Sequence, residues 1–302
     1  MSLRLRLCAI LMRRVARPLL ARTRTPEDAA RDFDRLSRCL FRPPPFARDL
    51  PRPLGGVPCH WITAGPVALR RVVLWLHGGA YLSGSGATHM AMLARLSRLS
   101  GLEIAAPDYR LLQEAPFPAA FEDALAAWEG LRALGYRAED IALGGDSAGG
   151  GLALALLAHL LGRGERPAAL VALSPWCDLT LSGESLRSLG PADALIPVGR
   201  MPEVVGRYLC GADPRDPRAS PLFGRFAGAP PVLIEVGDAE ALRSDGERMA
   251  ARLREDGAPV TFRLAAGAPH VLPILDGWVP EARASLQEAA RFLQDAFAKA
   301  SR

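Results

Sequence analysis

Ile141-Ala142-Leu143-Gly144-Gly145-Asp146-Ser147-Ala148-Gly149-Gly150 is the stretch that decides the reading of this chain. A short aliphatic run enters a glycine-rich turn carrying one serine, and an apolar segment with helical spacing, 148–162, leaves it. Gly145 and Gly149 stand two positions either side of Ser147. The pattern G-x-S-x-G places a serine on a strained strand-to-helix turn, exposed at the carboxyl end of a strand. Small flanking residues let the chain bend without clashes. The start of the following helix turns free N–H groups, that of Ala148 included, toward charge that develops on an oxygen. Ser147 is therefore the candidate nucleophile.

Upstream, His77-Gly78-Gly79-Ala80-Tyr81 also follows directly on an apolar run, 71–77. A glycine turn there offers backbone N–H donors that a carbonyl oxygen can approach. Gly78 and Gly79 are the expected donors, with Ala148. Further buried-strand patterns fall at 103–108, 141–143, 169–173, 231–236 and 260–264. Helical patterns fall at 88–100, 117–134, 148–162, 244–256 and 280–300. This alternation predicts an α/β fold, a mostly parallel sheet with helices on both faces. The interval 181–228 breaks the rhythm, with no convincing strand, a helical pattern at 201–209, and loop prolines Pro214 and Pro217. An insertion of this length in one domain reads as a lid or binding element. The expected organisation is a single domain, 1–302, with a helical cap from 1–45 and 181–228 and a core of 46–180 and 229–302.

A serine nucleophile needs a base, and downstream of Ser147 the chain has only His159 and His270. His159 lies inside the helix that follows the turn and reads as a packing residue. His270 follows the last strand, in a loop at the carboxyl edge of the sheet, within reach of Ser147. The acid belongs after the fifth strand, in Gly237-Asp238-Ala239-Glu240-Ala241-Leu242, where Asp238, Glu240 and Asp245 compete. Asp238 stands where a carboxylate often bonds its own backbone, and Asp245 where one favours a helix dipole. No two histidines have metal-binding spacing, so no metal is expected.

Composition narrows the classes. The chain has 302 residues, 49% hydrophobic and 23% charged, which suits an ordinary globular protein. Only Lys299 of its 37 basic residues is lysine, which argues against Schiff-base chemistry and phosphate-cradling lysine loops. Five scattered cysteines predict reduced thiols rather than a disulfide scaffold, and a cytoplasmic location. The net charge of +5 gathers near the start of the chain. In 3–24 the longest apolar run, 7–12, is far short of the ~20 residues that span a bilayer. It has no cleavage site, and no apolar region follows Arg13-Arg14. The expectation is an amphipathic helix packed over the protein, with membrane contact disfavoured and no exposed apolar run suited to a lipid interface. Arginines interleaved with leucines argue against a nucleic-acid partner.

HGGAY at 77–81, PDYRL at 107–111, PFPAAFEDA at 116–124, GDSAGG at 145–150 and SPWCDL at 174–179 together resemble the hormone-sensitive-lipase family of α/β-hydrolases. The chain departs from that family at Ala80, where Gly is common, and at 112–115. The resemblance implies a cofactor-free serine carboxylic ester hydrolase acting on short- to medium-chain acyl esters through an acyl-enzyme. It makes Glu240 the triad acid, because Glu240-Ala241-Leu242 with Asp245 matches the family register, and His77 a residue that orders the oxyanion loop. The implied partner is a small-molecule ester, with a homo-oligomer left open. The same fold also serves as a hormone-binding receptor, where the catalytic His is replaced, and as amide hydrolases or deacetylases.

Overall fold

Runs of Val, Leu and Ile too apolar to face water on either side become the central strands of a layered α/β structure. The computed structural model describes residues 1–23 and 25–300. Arg24, which ends the basic N-terminal segment, and 301–302, which end the expected domain, lie outside the described residues.

The chain opens with α1 (Leu3–Leu11), a wider helical turn (Met12–Ala16), α2 (Arg17–Arg22) and α3 (Pro26–Leu40). The core follows as β1 (Arg48–Pro51), β2 (Cys59–Thr63), β3 (Val72–Leu76), α4 (Gly86–Ser100), β4 (Glu103–Pro107) and α5 (Ala119–Ala133). Next come β5 (Ile141–Asp146), α6 (Ser147–Gly162), β6 (Leu170–Leu173), α7 (Ser185–Ser188) and α8 (Met201–Leu209). The chain closes with β7 (Val232–Gly237), α9 (Arg243–Glu255), β8 (Val260–Ala265) and α10 (Pro280–Ala300).

The strands form one sheet in the order β1-β2-β4-β3-β5-β6-β7-β8. β2 runs antiparallel to both its neighbours, and every other pairing is parallel. Alternate residues divide the core. Leu74, Leu76, Leu143 and Ile234 face α5, α6 and α9, whereas Val73, Trp75, Val171 and Leu233 face α4 and α10. The strand expected at 141–143 runs on to Asp146 because Gly144 and Gly145 continue the pairing with β3 and β6, although they have no side chain to show a period. The sequence reading missed β1 and β2. β1 is exposed throughout and ends in Pro51, so it has edge-strand chemistry and no apolar run.

Register sets the site. Leu76 pairs with Gly145, so the turn after β3 and the turn after β5 emerge side by side. Leu173 pairs with Asp146 and Glu235, and Gly237 with Ala265, which brings the loops after β6, β7 and β8 to the same edge.

Leu5 of α1 is fully buried against Ala268, Leu272, Leu275, Val279 and Ala282, so the N-terminal helix lies on the loop that carries His270. The N-terminal segment also meets the inserted one. Arg17 donates to the carbonyls of Pro191 and Gly190 at 2.9 and 3.2 Å, and Arg200 to those of Ala21 and Thr23 at 2.8 and 2.9 Å. One expectation fails here. The other face of the N-terminal helices holds an exposed apolar row, Leu3, Leu7, Ile10, Leu11, Val15 and Leu19. Among the described residues no helix is long and apolar enough to cross a membrane.

Candidate active site

Ser147 is the first residue of α6, held at φ +53°, a left-handed conformation that costs a non-glycine residue roughly 1–3 kcal/mol. Tight packing on both sides holds it there. A Cβ on Gly145 would stand 2.3 Å from the Gly149 carbonyl oxygen, and one on Gly149 would stand 2.1 Å from that of Leu76. Only glycines let α6 approach β3 this closely, and the approach holds Ser147 at the carboxyl edge of the sheet.

His270 reaches it from the loop after β8, with Nε2 2.9 Å from Ser147 Oγ. Its other nitrogen, Nδ1, lies 3.6 Å from Oε2 of the fully buried Glu240. That gap is too long for a hydrogen bond, and neither Nδ1 nor Glu240 Oε1 has a partner among the described residues. Such contacts commonly tighten when substrate binds. A carboxylate facing Nδ1 keeps the ring proton there and leaves Nε2 to accept from Ser147. Burial pulls the His270 pKa down, but the facing Glu240 outweighs it and lifts the imidazole above its ordinary value.

Ser174 couples these two loops. Its hydroxyl donates to Glu240 Oε2 at 2.8 Å and accepts the Val271 N–H at 3.0 Å. Asp193, from the inserted segment, is fully buried and accepts the Ala241 N–H at 2.6 Å, next to Glu240. Its other oxygen takes the N–H groups of Leu195 and Ile196, each at 2.7 Å. The sequence reading missed both residues. Ser174 left a trace, since it opens the SPWCDL motif directly after an apolar strand pattern; in the structure it sits at φ +48°. Asp193 left none.

The rival carboxylates have other tasks. Asp238 Oδ1 accepts the Gly267 N–H at 2.6 Å, tying the loops after β7 and β8 rather than bonding its own turn. Asp245 Oδ2 accepts the N–H groups of Cys177 and Asp178 at 2.8 and 3.0 Å, and burial pushes its pKa up to about 7. His159 packs edge-on against Phe121, near the end of α6 opposite Ser147.

The oxyanion donors need one correction. The Gly78 N–H donates to Asp146 Oδ2 at 3.1 Å, so it is not free to hold a substrate oxygen. Gly79 and Ala80, at φ +123° and +55°, have N–H groups with no acceptor among the described residues. Ala148, second in α6, has none within its helix. The three N–H groups left for an oxyanion are those of Gly79, Ala80 and Ala148. Asp146 holds this arrangement from below. It also accepts from Trp75 Nε1 at 3.0 Å and faces His89 Nε2 at 3.1 Å. His89 Nδ1 faces the Ser85 carbonyl at 3.2 Å. Burial alone would lower the His89 pKa, but the charge of Asp146 raises it. His77 stacks on Tyr109 with ring centroids 4.1 Å apart, and Tyr109 donates to the His77 carbonyl at 2.6 Å. Burial pushes the His77 pKa down to about 4, so its neutral ring donates through Nδ1 to the Gly78 carbonyl at 2.9 Å.

Residues 73–274 match the profile of the alpha/beta hydrolase fold. The chain belongs to the α/β-hydrolase family. It is 39% identical over 227 residues to an acetyl-hydrolase of Streptomyces hygroscopicus, covering 75% of this chain and 76% of the relative. To an esterase of Acinetobacter venetianus it is 35% identical over 262 residues, 86% of each chain. The crystal structure of an esterase from the bacterial hormone-sensitive lipase family superposes with a TM-score of 0.92 at 35% identity, covering 98% of this chain and 99% of that one. This α/β-hydrolase is of the hormone-sensitive-lipase type and is a carboxylic ester hydrolase.

Proposed function

We propose that the hydrolase cleaves short- to medium-chain acyl esters, with Ser147, His270 and Glu240 as its triad. The observation that carries this reading is the 2.9 Å contact between Ser147 Oγ and His270 Nε2, on a loop edge lined by free N–H groups. Ser147 Oγ attacks the acyl carbon as His270 Nε2 takes its proton, and Glu240 stabilises the imidazolium. The carbonyl oxygen, now negative, is held by the N–H groups of Gly79, Ala80 and Ala148, where losing one donor costs about 3–4 kcal/mol. The bond to the alkoxy oxygen breaks as His270 returns the proton to it. Water, deprotonated by His270, then frees the acid and restores Ser147.

Small acyl groups suit a site covered by 1–45 and 181–228, and one relative is named for acetyl hydrolysis. We assign those two intervals as the cap on the strength of their mutual contacts and of the Asp193 bond to the acid loop. A cytoplasmic setting fits five free cysteines, of which Cys59 and Cys177 are buried.

The test is a series of p-nitrophenyl esters of rising chain length, with fluorophosphonate labelling of wild type and Ser147→Ala. Turnover should peak at ~C4 to C8. Ser147→Ala should lose labelling and about 10⁴–10⁶ in kcat. A wild type that neither turns over activated esters nor takes the label overturns the reading in favour of a binding protein.

A further inference from the structure

The first helix is apolar on both of its faces, and the structure covers only one. Leu5 is buried, and Cys8 and Met12 pack beside it on the loop that carries His270. On the opposite side Leu3, Leu7, Ile10 and Leu11, at the spacing of a single helix face, are 72, 56, 50 and 62% exposed. Val15 and Leu19 continue the row at 48 and 47%. An amphipathic helix normally turns one apolar stripe to the core and leaves the opposite face polar, so a second apolar face calls for a second cover. Arginine surrounds this row. Seven arginines fall within the first 24 residues, and no Asp or Glu occurs before Glu27. Arg4, Arg6, Arg13 and Arg14 are exposed and have no carboxylate within ion-pair distance among the described residues. The seven exceed the excess of five basic charges in the whole chain, so the rest of the protein is net acidic.

We propose that this outward face of α1 docks on an anionic lipid surface, lying in the headgroup layer with its leucines inserted. The chemistry selects that occupant. Leucines flanked by arginines match acyl chains beneath phosphate groups, and each arginine near such a surface adds roughly five-fold to partitioning. A nucleic acid would neutralise the arginines but leave the leucines in water. A second copy, set face to face, would bring like charges together. The net-acidic remainder of the protein is repelled by the same surface, so only this face is presented to it. Since the inner face of α1 rests on Ala268 and Leu272, either side of His270, docking sets the catalytic loop about one helix diameter, roughly 10 Å, from the lipid. This inference reverses the expectation drawn from sequence, in which the segment only covers the protein.

The experiment is sedimentation of the full chain with phosphatidylglycerol or phosphatidylcholine vesicles, at about 0.01 M and about 1 M salt, between which the Debye length falls from ~30 to ~3 Å. The variants are Leu7→Ser/Ile10→Ser/Leu11→Ser and Arg4→Gln/Arg6→Gln/Arg13→Gln/Arg14→Gln. All seven side chains point outward, so turnover of soluble p-nitrophenyl butyrate should be unchanged and serves as the folding control. Wild type should bind phosphatidylglycerol, release at high salt, and ignore phosphatidylcholine. Each variant should lose at least ten-fold in binding. Absent or equal binding to the two lipids overturns the proposal, as does a leucine variant that binds like wild type. A concentration-dependent dimer abolished by the leucine changes also overturns it, because the face would then be a self-contact.

Discussion

Glu240, the acid of the proposed triad, faces His270 across 3.6 Å, and its bond from Ser174 shows how it is held there. Glu240→Gln keeps the acceptor for the Ser174 hydroxyl but removes the charge. The fold should survive and kcat should fall about 10²–10⁴-fold, by the logic of amidated triad acids. Asp238→Asn should instead weaken one loop-to-loop bond, costing about 1 kcal/mol and leaving kcat within a few-fold. Loss of turnover in Asp238→Asn with Glu240→Gln still active would exchange the two assignments. The pH profile provides a second reading. The base must be neutral to act, and Glu240 raises the His270 pKa, so kcat/KM should fall on the acid side through a pKa above 6.5. In Glu240→Gln that limb should move to lower pH. His60 makes a separate, structural prediction. A hydrogen bond that His60 donates to the Asp108 carboxylate, then one to that of Asp49, lifts its pKa to about 9 despite burial. A pKa raised in the folded state stabilises fully below the unfolded value, near 6.5, and that stability is lost as pH rises through 9. Denaturation midpoints should therefore decline between about pH 6.5 and 9, and His60→Gln should flatten that decline.

At the scale of elements, the strand-turn-helix of β5 and α6 depends on where glycine is obligatory and where it is incidental. Gly149→Ala would put its methyl 2.1 Å from a backbone oxygen of Leu76, an atom that cannot swing away. We expect a loss of about 3 kcal/mol or more in urea unfolding, with activity falling as Ser147 shifts. Gly162, at the other end of α6, has open space for 4 Å around the point where a methyl would stand, and its φ is ordinary for a helix. Gly162→Ala should stabilise by about 0.5–1 kcal/mol and leave kcat alone. Equal effects at the two ends would mean that α6 does not rest on β3 as described.

Over the whole molecule, the loops that carry the proposed triad rest on segments distant in the chain. α1 buries Leu5 on the loop around His270, and α2 ties through Arg17 to the insertion whose Asp193 holds the loop of Glu240. Removing residues 2–24 should expose Ala268 and Leu272 and loosen both arms of the triad together. The truncated enzyme should lose thermal stability and at least ten-fold in turnover of soluble esters. Full retention of both would confine the N-terminal segment to the surface role.

What the sequence determined by itself was local or patterned. The elbow around Ser147 showed in five residues, because its turn admits few others. The central strands showed as unbroken aliphatic runs, because burial on both faces permits nothing else. His270 followed from chain order once Ser147 was fixed. Tertiary structure decided what depends on residues meeting across the sheet. That Gly78 donates to Asp146, while the N–H groups of Gly79 and Ala80 have no acceptor among the described residues, follows from the Leu76–Gly145 register, which no spacing along the chain encodes. The edge strand β1 has no apolar run to announce it and forms by pairing with β2, which in turn pairs with β4. Ser174 and Asp193 matter through hydrogen bonds to Glu240 and Ala241, 66 and 48 positions away in the chain. The exposure of one leucine face of α1 likewise depended on which side Leu5 chose, a choice made by the loop it packs against and invisible in a helix with apolar residues on two opposite faces.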